Sequence, residues 1–176
     1  MSIKTPMTLD ELNGLNAADA TAAFGTCCTS DAWIKGMVEA RPLSNVEAAH
    51  KVALDVWATC QAADLMQAFE GHPKIGDVSS LRKKYANTKG LASNEQSGVN
   101  VATEETLQAL SDGNNEYDEK YGFIFIVYAT GKSAGEMLEL LQARLPNDRA
   151  QELQNAGVEQ SKITALRINK LLGLVD

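Results

Sequence analysis

The stretch Phe123-Ile124-Phe125-Ile126-Val127-Tyr128-Ala129 decides the fold class. It alone in the chain has the β-branched and aromatic density of a strand. A strand needs a neighbour for its backbone N–H and C=O groups, and no second run of this kind exists to pair with it. The run is therefore read as a buried extended segment or a helix start rather than as part of a sheet. It is also the longest apolar run, and it is far too short to span a bilayer.

Outward from it, the chain is punctuated by helix starts. In a capping box a Ser or Thr takes an orphan amide while a Glu three residues later reaches back. Thr8 with Glu11, Ser44 with Glu47 and Ser133 with Glu136 fit this pattern. After the last box Met137, Leu138, Leu141 and Leu145 recur at helical spacing along one face. Further helices are expected at 16–24, 30–39, 79–86, 103–121 and 147–172. The segment from Val46 to Glu70 should break near Thr59 into two helices, the second closed by Gly71 as a left-handed cap. The sum is an all-α, single-domain bundle of about eight or nine helices occupying residues 1–176.

Composition narrows the function classes. With 176 residues, 44% of them apolar, the chain can close one core without staples. Sixteen Lys and Arg against 23 Asp and Glu leave a formal charge of −7, which opposes a nucleic-acid partner. Cys27 and Cys28 are adjacent, so a bridge between them would be strained and Cys60 would be left over. With no apolar leader at Met1 to Asp10 and no peroxisomal tripeptide at the carboxyl end, the expectation is a reduced, cytoplasmic protein.

Few residues carry chemistry. His50, His72 and three unspaced cysteines do not form a metal-ligand set, so no metal is expected. There is no G-x-S-x-G elbow, and Cys60 has no nucleophile context. Gly131-Lys132-Ser133 suggests a phosphate loop, but the glycine required five positions earlier is Ile126. A loop followed by a helix capped by Ser133 accounts for the fragment.

His72 is the more pointed candidate. It stands between Gly71 and Pro73, so its backbone is pinned between a helix end and a rigid ring, and Pro73 biases it to extended geometry. Such a loop suits a site, although a lone histidine is also compatible with a solvated or core role. Glu95-Gln96 would open a short helix where free amides gather a polar substrate, or simply mark a surface helix start. Arg167 lies in line with Ile163 and Leu171, four residues to either side. It either snorkels or pairs with a structural carboxylate, or it binds an anionic ligand. Lys162, Asn169 and Lys170 read as the solvent face of that helix.

Taken together, AFEGHPKIGD (68–77), ASNEQSGV (92–99), YGFIFIVYATGKSAGEML (121–138), RLPND (144–148) and KITALRINKLL (162–172) resemble the 2-oxo-4-hydroxy-4-carboxy-5-ureidoimidazoline (OHCU) decarboxylases of urate breakdown. The likeness runs from about Leu9 to Leu172. It implies an all-α, cofactor-free enzyme, usually a homodimer, that acts on a small ureidoimidazoline and releases (S)-allantoin and carbon dioxide. It makes His72, Glu95 and Arg167 catalytic. Substrate contacts would fall to Pro73, to Ala92, Ser93, Asn94, Glu95 and Gln96, and to Phe125, Ile126, Val127, Tyr128 and Ala129. One departure is visible: the family usually has Ser three residues before the Glu, where this chain has Ala92 followed by Ser93. Rival readings are a non-catalytic binder of purine-like metabolites and, through 131–133, a nucleotide-handling protein. The second is disfavoured by the Ile126 mismatch and by the lack of a parallel sheet.

Overall fold

The computed structural model describes residues 5–74, 77–86 and 103–175. Nine helices and no strand occur among these described residues: α1 (Leu9–Gly14), α2 (Ala17–Gly25), α3 (Asp31–Ala40), α4 (Val46–Ala58), α5 (Ala62–Glu70), α6 (Val78–Ala86), α7 (Glu104–Tyr121), α8 (Ala134–Arg144) and α9 (Arg149–Leu171). The all-α expectation holds. The residues group into two compact units, Met1–His72 with Gly157–Asp176, and Pro73–Ala156.

In the first unit, local chemistry sets where helices begin. Thr8 Oγ1 accepts from the Glu11 amide and the Thr8 amide donates to Glu11 Oε1, both at 3.0 Å, so this box closes. The Ser44 box does not form. Asn45 is the cap instead, its Oδ1 accepting from the Ala48 amide at 2.7 Å. With Asn45 in that place the third helical residue is Ala48, and Glu47 cannot reach back. The break near Thr59 is present: α4 ends at Ala58, and the Gln61 amide opening α5 donates to Asp64 Oδ2 at 2.9 Å.

Phe24, Trp33, Met37, Leu12 and Ile168 are buried in the core of this unit, Phe24 meeting Trp33 edge-on at 6.0 Å. Each tryptophan also spends its indole N–H on a backbone carbonyl: Trp33 on Ala53 at 3.1 Å, Trp57 on Gly157 at 2.9 Å.

Gly71 closes α5, but not as a left-handed cap, since its φ and ψ are −74° and −10°. What demands glycine is space. A Cβ there would sit 2.1 Å from Thr29 Oγ1, whose hydroxyl donates to the Gln67 carbonyl at 3.2 Å.

In the second unit Gly122 does take the left-handed cap, at φ 81°, its amide closing α7 on Asp118 at 2.9 Å. The Phe123–Ala129 run follows as extended chain with no partner strand among the described residues. Side chains do what a neighbouring strand would have done. Arg144 Nη1 donates to the Ile126 carbonyl at 2.7 Å, and Lys132 Nζ donates to that of Tyr128 at 2.8 Å. Ser133 and Glu136 form the expected box at the start of α8.

Candidate active site

His72 leaves α5 at a corner whose amides are already engaged: Gly71 donates to Ala68 at 3.2 Å and His72 to Phe69 at 3.1 Å. The ring therefore projects from a tied backbone. It is half-buried, and its Nε2 lies 2.6 Å from Oε1 of Gln160 on α9. Gln160 is itself buried, 1% exposed, and its amide nitrogen donates to Thr164 Oγ1 at 3.0 Å. Gln160, Thr164 and Arg167 sit at positions i, i+4 and i+7 of α9, hence on one stripe.

The electrostatics follow from this packing. Burial pushes the His72 pKa below its usual 6.5; the Gln160 contact works upward, and the positive charge of Arg167 works downward again. The net effect favours the neutral ring. Arg167 is half-buried and has neither an ion-pair partner nor a hydrogen bond among the described residues. Of the two structural readings offered for Arg167, snorkelling and pairing with a carboxylate, the second finds no support among those residues.

The thiols beside this stripe are inert. Burial raises Cys27 to about 11 and also raises Cys28, in each case more than the nearby Arg167 lowers it. All three cysteines are free, and Cys60 is likewise raised, by burial first. Protonated thiols are poor nucleophiles, in line with the expectation against covalent catalysis.

Asn169 departs from its expected solvent role. It is half-buried, and its Oδ1 lies 2.8 Å from His50 Nε2. A largely apolar groove of about 130 Å³ in this unit shares Thr164 with the Gln160–Arg167 stripe and is lined besides by Trp33, His50, Ala53, Leu54, Trp57, Ser161 and Ala165. Neither His72 nor Arg167 is among those residues.

The second unit holds Pro73, exposed, and the Phe125–Ala129 segment, in which Phe125 and Ile126 are buried and Val127, Tyr128 and Ala129 half-buried. The Arg144 guanidinium stacks 4.6 Å from the Phe125 ring centre while holding the Ile126 carbonyl. That carbonyl and the one of Tyr128 are thus already engaged. Ala92, Ser93, Asn94, Glu95 and Gln96 lie outside the described residues. His72 and Arg167 fall in the same unit, and the charge of one is felt at the other.

Sequence reasoning missed Gln160 and Thr164. The available signal was two polar residues seven and three places before Arg167, on a stripe that ends in the buried Leu171.

Residues 13–169, nearly the whole described fold, match the family named OHCU decarboxylase. The chain belongs to the OHCU decarboxylase family. It is 36% identical over 146 residues to the "Uric acid degradation bifunctional protein TTL" of Arabidopsis thaliana, which covers 82% of this chain and 45% of that protein. The chain thus spans less than half the length of this plant relative. It is 23% identical over 168 residues to the 2-oxo-4-hydroxy-4-carboxy-5-ureidoimidazoline decarboxylase of Halalkalicoccus jeotgali, covering 95% of this chain and 93% of the other. A crystal structure of an OHCU decarboxylase in the presence of (S)-allantoin is similar at a TM-score of 0.69 and 33% identity, covering 85% of this chain and 96% of that one. Membership accounts for the order of the five motifs and for the helical fold around them.

Proposed function

We propose that this chain decarboxylates 2-oxo-4-hydroxy-4-carboxy-5-ureidoimidazoline to (S)-allantoin and carbon dioxide without a cofactor, as a step of urate breakdown. The supporting observation is an imidazole, His72, fixed at a tied corner where burial and the half-buried cation Arg167 favour its neutral form, in a chain of this family.

The chemistry needs little else. The bond to the carboxylate breaks and carbon dioxide leaves. The electron pair stays on the ring, forming a carbon–carbon double bond as the adjacent C=N bond passes its pair to nitrogen. That nitrogen takes a proton from water. The ring's own C=N bond is the electron sink, the part that pyridoxal or thiamine plays elsewhere. The resulting enol gives its hydroxyl proton to His72, and the imidazole returns it to one face of the neighbouring carbon, which fixes the handedness of the product. Arg167 offers a planar fork to the anionic oxygens, and Glu95 accepts hydrogen bonds from substrate N–H or O–H groups. Pro73, residues 92–96 and Phe125–Ala129 are proposed as the remaining substrate contacts. A homodimer in the cytoplasm is part of this proposal. The dimer rests on the resemblance, and the reducing compartment on three unpaired cysteines.

The test generates the unstable substrate in situ from urate and follows its absorbance decay and the optical activity of the allantoin, with and without protein. The expected result is accelerated decay to the pure (S) product, with His72→Ala slower by about a hundred- to ten-thousand-fold and unchanged in circular dichroism. Saturable binding without acceleration would replace the enzyme by a metabolite-binding protein.

A further inference from the structure

The contact between His72 and Gln160 carries more information than its length. An amide oxygen has only lone pairs, so the imidazole nitrogen facing it must bear a proton. Which end of the Gln160 amide faces His72 is set further along the chain of contacts. The Gln160 nitrogen donates to Thr164 Oγ1 at 3.0 Å, which turns the amide oxygen toward His72. The polarity then runs one way, from His72 to Gln160 to Thr164. His72 and Gln160 each donate once, and Gln160 and Thr164 are buried, 1% and 5% exposed. Burial shields the Gln160–Thr164 bond from water.

We propose that Gln160 is a positioning residue that holds His72 as the Nε2–H tautomer, leaving Nδ1 as the nitrogen that takes the proton from the substrate and returns it. Nδ1 has no partner among the described residues. The assignment rests on the reading of His72 as the proton-transfer group. It adds the atom through which the proton passes and the side chain that selects that atom. In the reaction the proton leaves the substrate hydroxyl for the Nδ1 lone pair, and the same N–H bond breaks as the ring carbon is protonated. Nε2 keeps its proton throughout, and Gln160 stabilises the transient imidazolium without accepting charge. Arg167 opposes that imidazolium, so its lifetime is short and return of the proton is favoured.

The experiment uses the full chain labelled with ¹⁵N-histidine. There are only two histidines, so His50→Gln assigns the spectrum. The expected spectrum shows His72 protonated at Nε2, with a proton that exchanges slowly with water. In Gln160→Met that exchange should quicken at least tenfold. Its kcat should fall about 10- to 100-fold with KM little changed, by analogy with the loss of an orienting partner of a metal-bound histidine. Gln160→Glu keeps an acceptor in place and adds a charge that favours the imidazolium. It should retain the Nε2–H tautomer and move the acidic limb of the rate profile to higher pH. Protonation of the wild-type ring at Nδ1 would overturn the proposal, as would wild-type kcat in Gln160→Met. If Gln160→Met does not fold, the wild-type spectrum and the Gln160→Glu profile still decide. Full activity in His72→Ala would sink the parent reading instead.

Discussion

Arg144 and Glu152 form a charge pair at 2.7 Å, with the carboxylate 0% and the guanidinium 11% exposed. Glu152 takes further donors from Tyr117 at 2.6 Å, Asn147 at 2.8 Å and Asn155 at 2.6 Å. Burial alone would raise its pKa, but the four donors outweigh that and hold it below the ordinary carboxylate value. The same Arg144 braces Ile126 and Phe125, so the RLPND motif serves the extended segment.

Removing the carboxylate should therefore be expensive. Glu152→Ala leaves a largely buried guanidinium without its counter-charge and a phenol without its acceptor, and a loss of about 3–5 kcal/mol is expected from urea unfolding. A double-mutant cycle with Arg144→Met should show coupling, since the second change removes the stranded charge. Because the folded pKa is depressed, this stabilisation is present above the unfolded value near 4.5 and is lost as pH falls through the folded one. A loss under 1 kcal/mol for Glu152→Ala would mean that the network is not a brace.

The His72 pKa has a kinetic reading. A group that must be neutral to take a proton gives an acidic limb in kcat/KM, and burial together with Arg167 places that limb below 6.5. Stability has the same sign: unfolded His72 takes up a proton at higher pH than folded His72 does, so this contribution is complete above 6.5 and declines as pH falls toward the folded value. An NMR titration of the two histidines measures it directly, and a His72 midpoint above 6.5 would contradict the burial argument.

Arg167 should report on binding. Replacing it by Met removes one or two charge-assisted hydrogen bonds to anionic oxygens, each about 1.5–3 kcal/mol, so kcat/KM should fall by at least tenfold. Loss of its charge should also raise the His72 pKa, because Arg167 is one of the groups that lowers it. Unchanged kinetics with an unchanged His72 titration would return Arg167 to a purely structural role.

The sequence by itself determined the all-α class, the capped starts at Thr8 and Ser133, the break after Ala58 and the tied corner that carries His72. These depend on chemistry that reaches three or four residues along the chain, and such chemistry is written locally. Even there, of two neighbouring cap formers the sequence reading took Ser44, and the structure uses Asn45. Only the tertiary structure decided that Gly71 is a glycine because Thr29 presses on it, and that Gln160, 88 residues away in sequence, holds the His72 ring. It also decided that Arg144 stands in for the missing strand beside Ile126. Each of these is a contact between segments distant in sequence, brought together by burial of apolar faces that are themselves indifferent to which polar groups they carry along.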